Sequence, residues 1–111
     1  MSTENPEQEI IFEFTPVNTE TAELIKESFR DDELLQSSAF GGIGLFTIIA
    51  AAMPVIRKAF AFYKEYRTSL KNAKIKIGGK EISFEGFSAA EINAMVEKGT
   101  IQKLQEKLEQ K

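Results

Sequence analysis

The chain offers few groups able to make or break bonds. It contains no cysteine and no histidine. That removes thiolate nucleophiles, the usual zinc ligands, Ser-His-Asp triads and imidazole acid–base catalysis together. No serine sits in the G-x-S-x-G setting of a nucleophile elbow, and no carboxylate pair has a flanking motif that suggests acid–base work. Three stretches still invite a chemical reading. Asp31-Asp32-Glu33 is an acidic run that could hold a divalent cation, but no second ligand cluster follows at loop spacing. It reads as a solvated helix end. Gly78-Gly79-Lys80 shares its residue types with a phosphate-binding loop, but lacks the G-x-x-x-x-G-K-[ST] spacing and lies between two strand-like runs rather than before a helix. The cations from Arg57 to Lys80 are interleaved with Phe60, Phe62, Tyr63 and Tyr66, which is the composition of a surface that stacks bases and pairs with phosphates. Helical spacing, however, places Phe60, Tyr63 and Tyr66 on a core face, so nucleic acid is disfavoured. The expectation is a protein that is not an enzyme, with no catalytic residues, no cofactor and no metal.

Charge is distributed more tellingly than its sum. The net charge is −3 over 111 residues. Residues 1–38 carry ten acidic and two basic side chains, residues 57–80 eight basic and one acidic, and residues 81–111 six acidic and four basic. An acidic front and a basic middle favour pairing within the molecule, or head to tail between copies. Between them lies AFGGIGLFTIIAAAMPVI, Ala39 to Ile56, eighteen residues without a charge. Such a run must be buried in the core, against copies of the chain, or in lipid. Its length just suffices to span a bilayer core of about 30 Å, with acidic residues before it and Arg57-Lys58 after it. Its glycines, alanines and proline make it only weakly hydrophobic, and small residues also suit close helix packing. The contact residues for an oligomer or a membrane are therefore Gly41, Gly44, Ile48, Ile49 and Ala52, and Arg57, Lys58, Lys64 and Arg67 form a basic contact surface.

These residues need elements to hold them. Residues 1–9 read as a flexible tail, polar and acidic rather than a targeting signal. Ile10, Phe12 and Phe14 alternate with Glu13, which predicts a short strand ending at Thr15-Pro16. Asn18 or Thr19 caps a helix running to about Phe29, and Leu34-Leu35 could add another turn. A helix of nearly thirty residues, 43–71, is predicted next, apolar to Ile56, kinked at Pro54 and amphipathic beyond. Residues 74–84, KIKIGGKEISF, predict a hairpin turning at Gly78-Gly79, with Ile75 facing Ile82 and Lys76 facing Glu81. Ser88 and Glu91 form a capping box for a helix from Ala89 to Lys98, stopped by Gly99. Residues 100–111 form a helical tail with Ile101, Leu104 and Leu108 on one stripe. The predicted fold is α+β, a single domain over 10–99. It has a small, mainly antiparallel three-stranded sheet (the N-terminal strand plus the Gly-Gly hairpin), one long apolar-to-basic helix and shorter flanking helices.

With those elements in order, GGIGLFTIIAAAMPVIRKAF followed by KIKIGGKEISFEGFSAAEI resembles the small effector-associated constant component proteins of bacterial conflict systems, over about Ile10 to Val96. The resemblance implies a non-enzymatic accessory protein working beside a defence effector encoded nearby, such as a protease or a nucleotide-dependent module. It carries over no functional residues. The leading expectation is thus a non-catalytic, cytoplasmic interaction module that forms homo-oligomers through the apolar helix. The alternative is a small membrane-associated or membrane-inserting protein with residues 39–56 as its lipid-contacting helix.

Overall fold

The computed structural model describes residues 10–37, 44–50, 53–99 and 101–109. The expected N-terminal tail, residues 1–9, lies outside them. The elements run β1 (Ile10–Pro16), α1 (Thr19–Ser28), β2 (Leu34–Ser37), β3 (Leu45–Ala50), α2 (Met53–Tyr66), β4 (Leu70–Ile77), β5 (Lys80–Ser83), α3 (Ala89–Glu97) and α4 (Ile101–Glu109). Single 3-10 turns lie at Asp31–Glu33, Arg67–Ser69 and Phe84–Gly86.

The five strands form one sheet in the order β2-β3-β1-β4-β5, antiparallel throughout. β1 is its centre because it alternates cleanly: Ile10, Phe12, Phe14 and Pro16 are buried, and the residues between them half-buried. β3 and β4 flank it, so the β3–α2–β4 connection steps over β1 as a split βαβ unit. One sheet face carries the whole core. Phe12 and Phe14 from β1, Phe46 and Ile48 from β3 and Ile75 and Ile77 from β4 join one buried cluster with residues of all four helices. Since only alternate strand residues enter that cluster, the helices all lie on the same side. Aromatic side chains dominate the contact. Phe12 meets Phe60 edge to face at 5.8 Å, Phe14 stacks on Phe62 at 5.6 Å, and Phe84 stacks on Tyr63 at 4.5 Å.

Several local expectations correspond to the structure. Asn18 caps α1, its side-chain oxygen accepting from the Thr21 amide at 2.8 Å. The hairpin has the expected register, Ile75 opposite Ile82 and Lys76 opposite Glu81. Both turn glycines have positive φ, 55° and 85°, the requirement of a two-residue turn that matches strand twist. Ser88 and Glu91 close the capping box, with bonds of 2.7 and 3.1 Å.

The three-stranded sheet and the long helix are overturned. Residues 45–50 are not the start of a helix over 43–71 but β3, and Leu34–Ser37 is a strand rather than another helical turn. The sheet therefore has five strands, and the expected helix shrinks to α2, giving way at Leu70 to β4. The physical reason is composition within the apolar run. Leu45-Phe46-Thr47-Ile48-Ile49-Ala50 is rich in β-branched and aromatic residues, which fit a pleated surface. A short continuous apolar run has no periodicity to separate strand from helix. Once β1 stands at the centre of the sheet it needs a second neighbour, and β3 pairs along its length from Ile10–Ala50 to Phe14–Phe46. Pro54 does not kink a helix either. It is the second residue of α2, where the missing amide has no partner to lose.

Candidate interaction surface

The residues singled out in the apolar run part company in this fold. Gly41 and Ala52 lie outside the described residues. Gly44 is buried immediately before β3. Ile48 is fully buried in the core, so it contacts neither lipid nor a partner. Ile49, its neighbour, points the other way and is half-buried. That single step of alternation carries Ile49 onto the sheet face that no described helix covers.

This uncovered face has two unlike halves. On β3 stand Leu45, Thr47 and Ile49; Ile11 on β1 pairs directly with Ile49, and Leu35 on β2 pairs with Thr47. Leu35 is 58% exposed, a large apolar side chain left in water. None of these five is charged. Across β1 the character changes. Glu13 lies between Thr47 and Lys74 in register, and Lys76 pairs with Ile11. Lys76 Nζ is 3.1 Å from Glu13 and 4.0 Å from Glu81, and Lys74 Nζ is 3.3 Å from Glu81. The β4–β5 half is thus a network of opposite charges that answer one another, and the β2–β3 half is apolar.

Half of the basic contact surface is spent inside the molecule. Arg57 Nε donates to the Val96 carbonyl at 3.1 Å, tying α2 to α3. Lys58 Nζ donates to the Ser28 carbonyl at 3.0 Å, lies 3.8 Å from Glu33 and sits 5.3 Å from the centre of the Phe29 ring. Lys64 and Arg67 are exposed at the end of α2 and just beyond it, and their side chains have no ion-pair or hydrogen-bond partner among the described residues. Two residues of the acidic run are paired within the molecule, Asp32 with Arg30 at 3.3 Å and Glu33 with Lys58 at 3.8 Å.

Among the described residues no helix is long and apolar enough to cross a membrane. The described part of the lipid-contacting helix expected over 39–56 falls in β3 and the first turn of α2; residues 39–43 and 51–52 lie outside the described residues. Compared with protein-family models, with curated proteins and with solved structures, the chain finds no match. What remains to read is an α+β protein whose sheet is covered on one side and half apolar on the other. Sequence reasoning named Ile49 but missed Leu35, Leu45 and Ile11 as its companions. The signal that could have found Leu45 is the β-branched and aromatic content of LFTIIA, which favours a strand and so sets Leu45 and Ile49 on one face.

Proposed function

We propose that this protein is a non-catalytic interaction module that assembles with copies of itself, acting as an accessory component of a bacterial defence or conflict system. The observation that carries the self-assembly is the apolar half of the uncovered sheet face, Ile11, Leu35, Leu45 and Ile49. A single antiparallel sheet tolerates one face in water, but that face is usually polar. Contiguous apolar side chains rimmed by charge mark contact surfaces. Two copies packed face to face bury these side chains about 10 Å apart as in a β-sandwich, and the charged β4–β5 half remains at the rim. The defence role rests on the sequence resemblance alone.

Ile49→Glu tests the assembly. On the isolated chain the substitution is mild, because Ile49 belongs to the uncovered face. In a packed contact it buries an unpartnered carboxylate, which costs on the order of 3–5 kcal/mol, roughly a hundredfold or more in affinity. Light scattering on a size-exclusion column should find an oligomer for the wild type and a smaller species for Ile49→Glu, with unchanged far-UV circular dichroism. A wild-type mass of one chain at tens of micromolar sinks the proposal.

A further inference from the structure

We infer that a binding site for inorganic phosphate, taken up as the hydrogen phosphate ion, lies where α2 gives way to β4. Tyr63 of α2, Arg67 of the turn that follows, Lys71 and Asn72 of β4, Ser83 of β5 and Glu85 beyond it line one cavity of about 70 Å³. Drug-sized ligands occupy clefts of about 300–1,000 Å³, so this cavity suits a single compact group. None of its residues belongs to the apolar half of the uncovered face, and the site stands apart from the self-assembly proposed above.

Local structure brings the charges here. Thr15 of β1 pairs with Asn72 and Pro16 with Leu70, so the register skips Lys71. Pro16 has no amide to give the ladder, and the irregularity falls beside it. A strand residue with no partner opposite is re-aimed, which is why such irregularities gather near functional sites. On the other wall, Tyr63 stacks on Phe84 at 4.5 Å, which fixes the end of α2 against the residue before Glu85.

Charge chooses the ligand. Arg67 and Lys71 are exposed, with no ion-pair or hydrogen-bond partner for their side chains among the described residues. Folding ties up their neighbours instead: Lys74, also on this cavity, is paired with Glu81. Glu85 shares the cavity with the two free cations, yet its carboxylate forms no ion pair among the described residues. A guanidinium and an ammonium only donate hydrogen bonds, and an ionised carboxylate only accepts them. The Ser83 hydroxyl, whose oxygen accepts from the Glu85 amide at 3.2 Å, still has a proton to donate. The ligand must therefore accept on one side and donate on the other. Hydrogen phosphate does both, its bare oxygens accepting from Arg67, Lys71 and Ser83 while its P–O–H group donates to Glu85. Sulfate has the same shape but is fully ionised at neutral pH, and sets a bare oxygen against the carboxylate. A phosphate monoester, whose last proton leaves near pH 6, is mostly in the same position.

Amide resonances of the nitrogen-labelled protein test the site, followed as sodium phosphate replaces sodium chloride at constant ionic strength and neutral pH. Shifts should saturate and concentrate on Arg67 to Asn72 and Ser83 to Glu85. Sulfate and methyl phosphate should bind about tenfold or more weakly, the worth of one hydrogen bond to a charged group. Arg67→Gln and Lys71→Gln should each weaken phosphate by about tenfold or more. Glu85→Gln gives the decisive readout, because a neutral amide can donate to an oxygen that the carboxylate repels. It should bring sulfate close to phosphate in affinity. All three side chains are exposed, so the variants should keep the wild-type far-UV circular dichroism. Shifts that rise without saturating, or that spread over all the exposed lysines, overturn the site. Equal affinity for phosphate and sulfate in the wild type, or a phosphate preference that survives Glu85→Gln, overturns the choice of hydrogen phosphate.

Discussion

A methyl group at Gly99 has nowhere to go. The residue follows α3 with φ of +59°, and a Cβ built there lies 2.5 Å from Arg57 Cγ, 3.2 Å from the Met53 carbonyl oxygen and 3.3 Å from the Arg57 amide. The arginine side chain can shift, but doing so disturbs the bond from its Nε to the Val96 carbonyl, and the two backbone atoms of α2 cannot yield. Left-handed backbone alone costs an L-residue about 1–2 kcal/mol. Gly79 has a comparable conformation, φ +85°, but nothing within 4 Å of its would-be Cβ. Gly99→Ala should therefore destabilise by about 2–3 kcal/mol, and Gly79→Ala by only about 1–2 kcal/mol. Urea denaturation of the two variants measures the difference. Equal losses would mean that the close approach of α2 and α3 contributes nothing.

At the scale of elements, Leu104 and Lys107 are among the described residues that fasten α4. Leu104 is its buried anchor, and Lys107 clasps Glu91 of α3 with Nζ 2.9 and 3.1 Å from the two carboxylate oxygens, above the ring of Phe87. Glu91 also accepts from the Ser88 amide. That backbone bond first, and Lys107 second, hold its carboxyl below the ordinary glutamate value. A carboxyl depressed in the folded state contributes stability above its unfolded value of about 4.3. The contribution is lost as pH falls from there through the lower folded value. Glu91→Gln should thus flatten the acid limb of the Tm–pH profile below about pH 5 and lower Tm at pH 7. A wild-type acid limb retained in full by the variant would assign that stability to other carboxylates. α3 with its capping box, α1 with its Asn18 cap, and the Gly-Gly hairpin were legible in the sequence, because each is signalled by a few adjacent residues. β3 and β2 were not. Leu45–Ala50 and Leu34–Ser37 owe their strand form to neighbours far along the chain, β1 for the first and β3 for the second. The candidate surface inherited the same blind spot. Read as a helix, the run places Ile48 and Ile49 in one contact; read as a strand, it sends one to the core and the other to the uncovered face.

For the whole molecule, the question is which force joins the copies. The sequence alone suggests two, the apolar run and the charge of an acidic front meeting a basic middle. Folding uses up much of that asymmetry. Of the basic residues between 57 and 80, Arg57 is tied to Val96, Lys58 to Ser28 and Glu33, Lys74 to Glu81, and Lys76 to Glu13 and Glu81. The uncovered face repeats the pattern, with its acids and lysines satisfying one another on the β4–β5 side and its uncharged half on the β2–β3 side. An assembly built on that half is driven by loss of apolar surface from water, which salt does not screen. Raising NaCl from about 50 mM to about 1 M shortens the Debye length to about 3 Å and cancels long-range attraction between exposed charges. The native mass measured by light scattering should be the same at both ends of that range, or shift toward the larger species at the high end. Head-to-tail pairing of α1 and its acidic extension with Lys64 and Arg67 predicts dissociation instead. An oligomer that falls apart in 1 M NaCl would move the contact from the sheet to those charged ends, and would leave Ile49→Glu without effect on its mass at low salt.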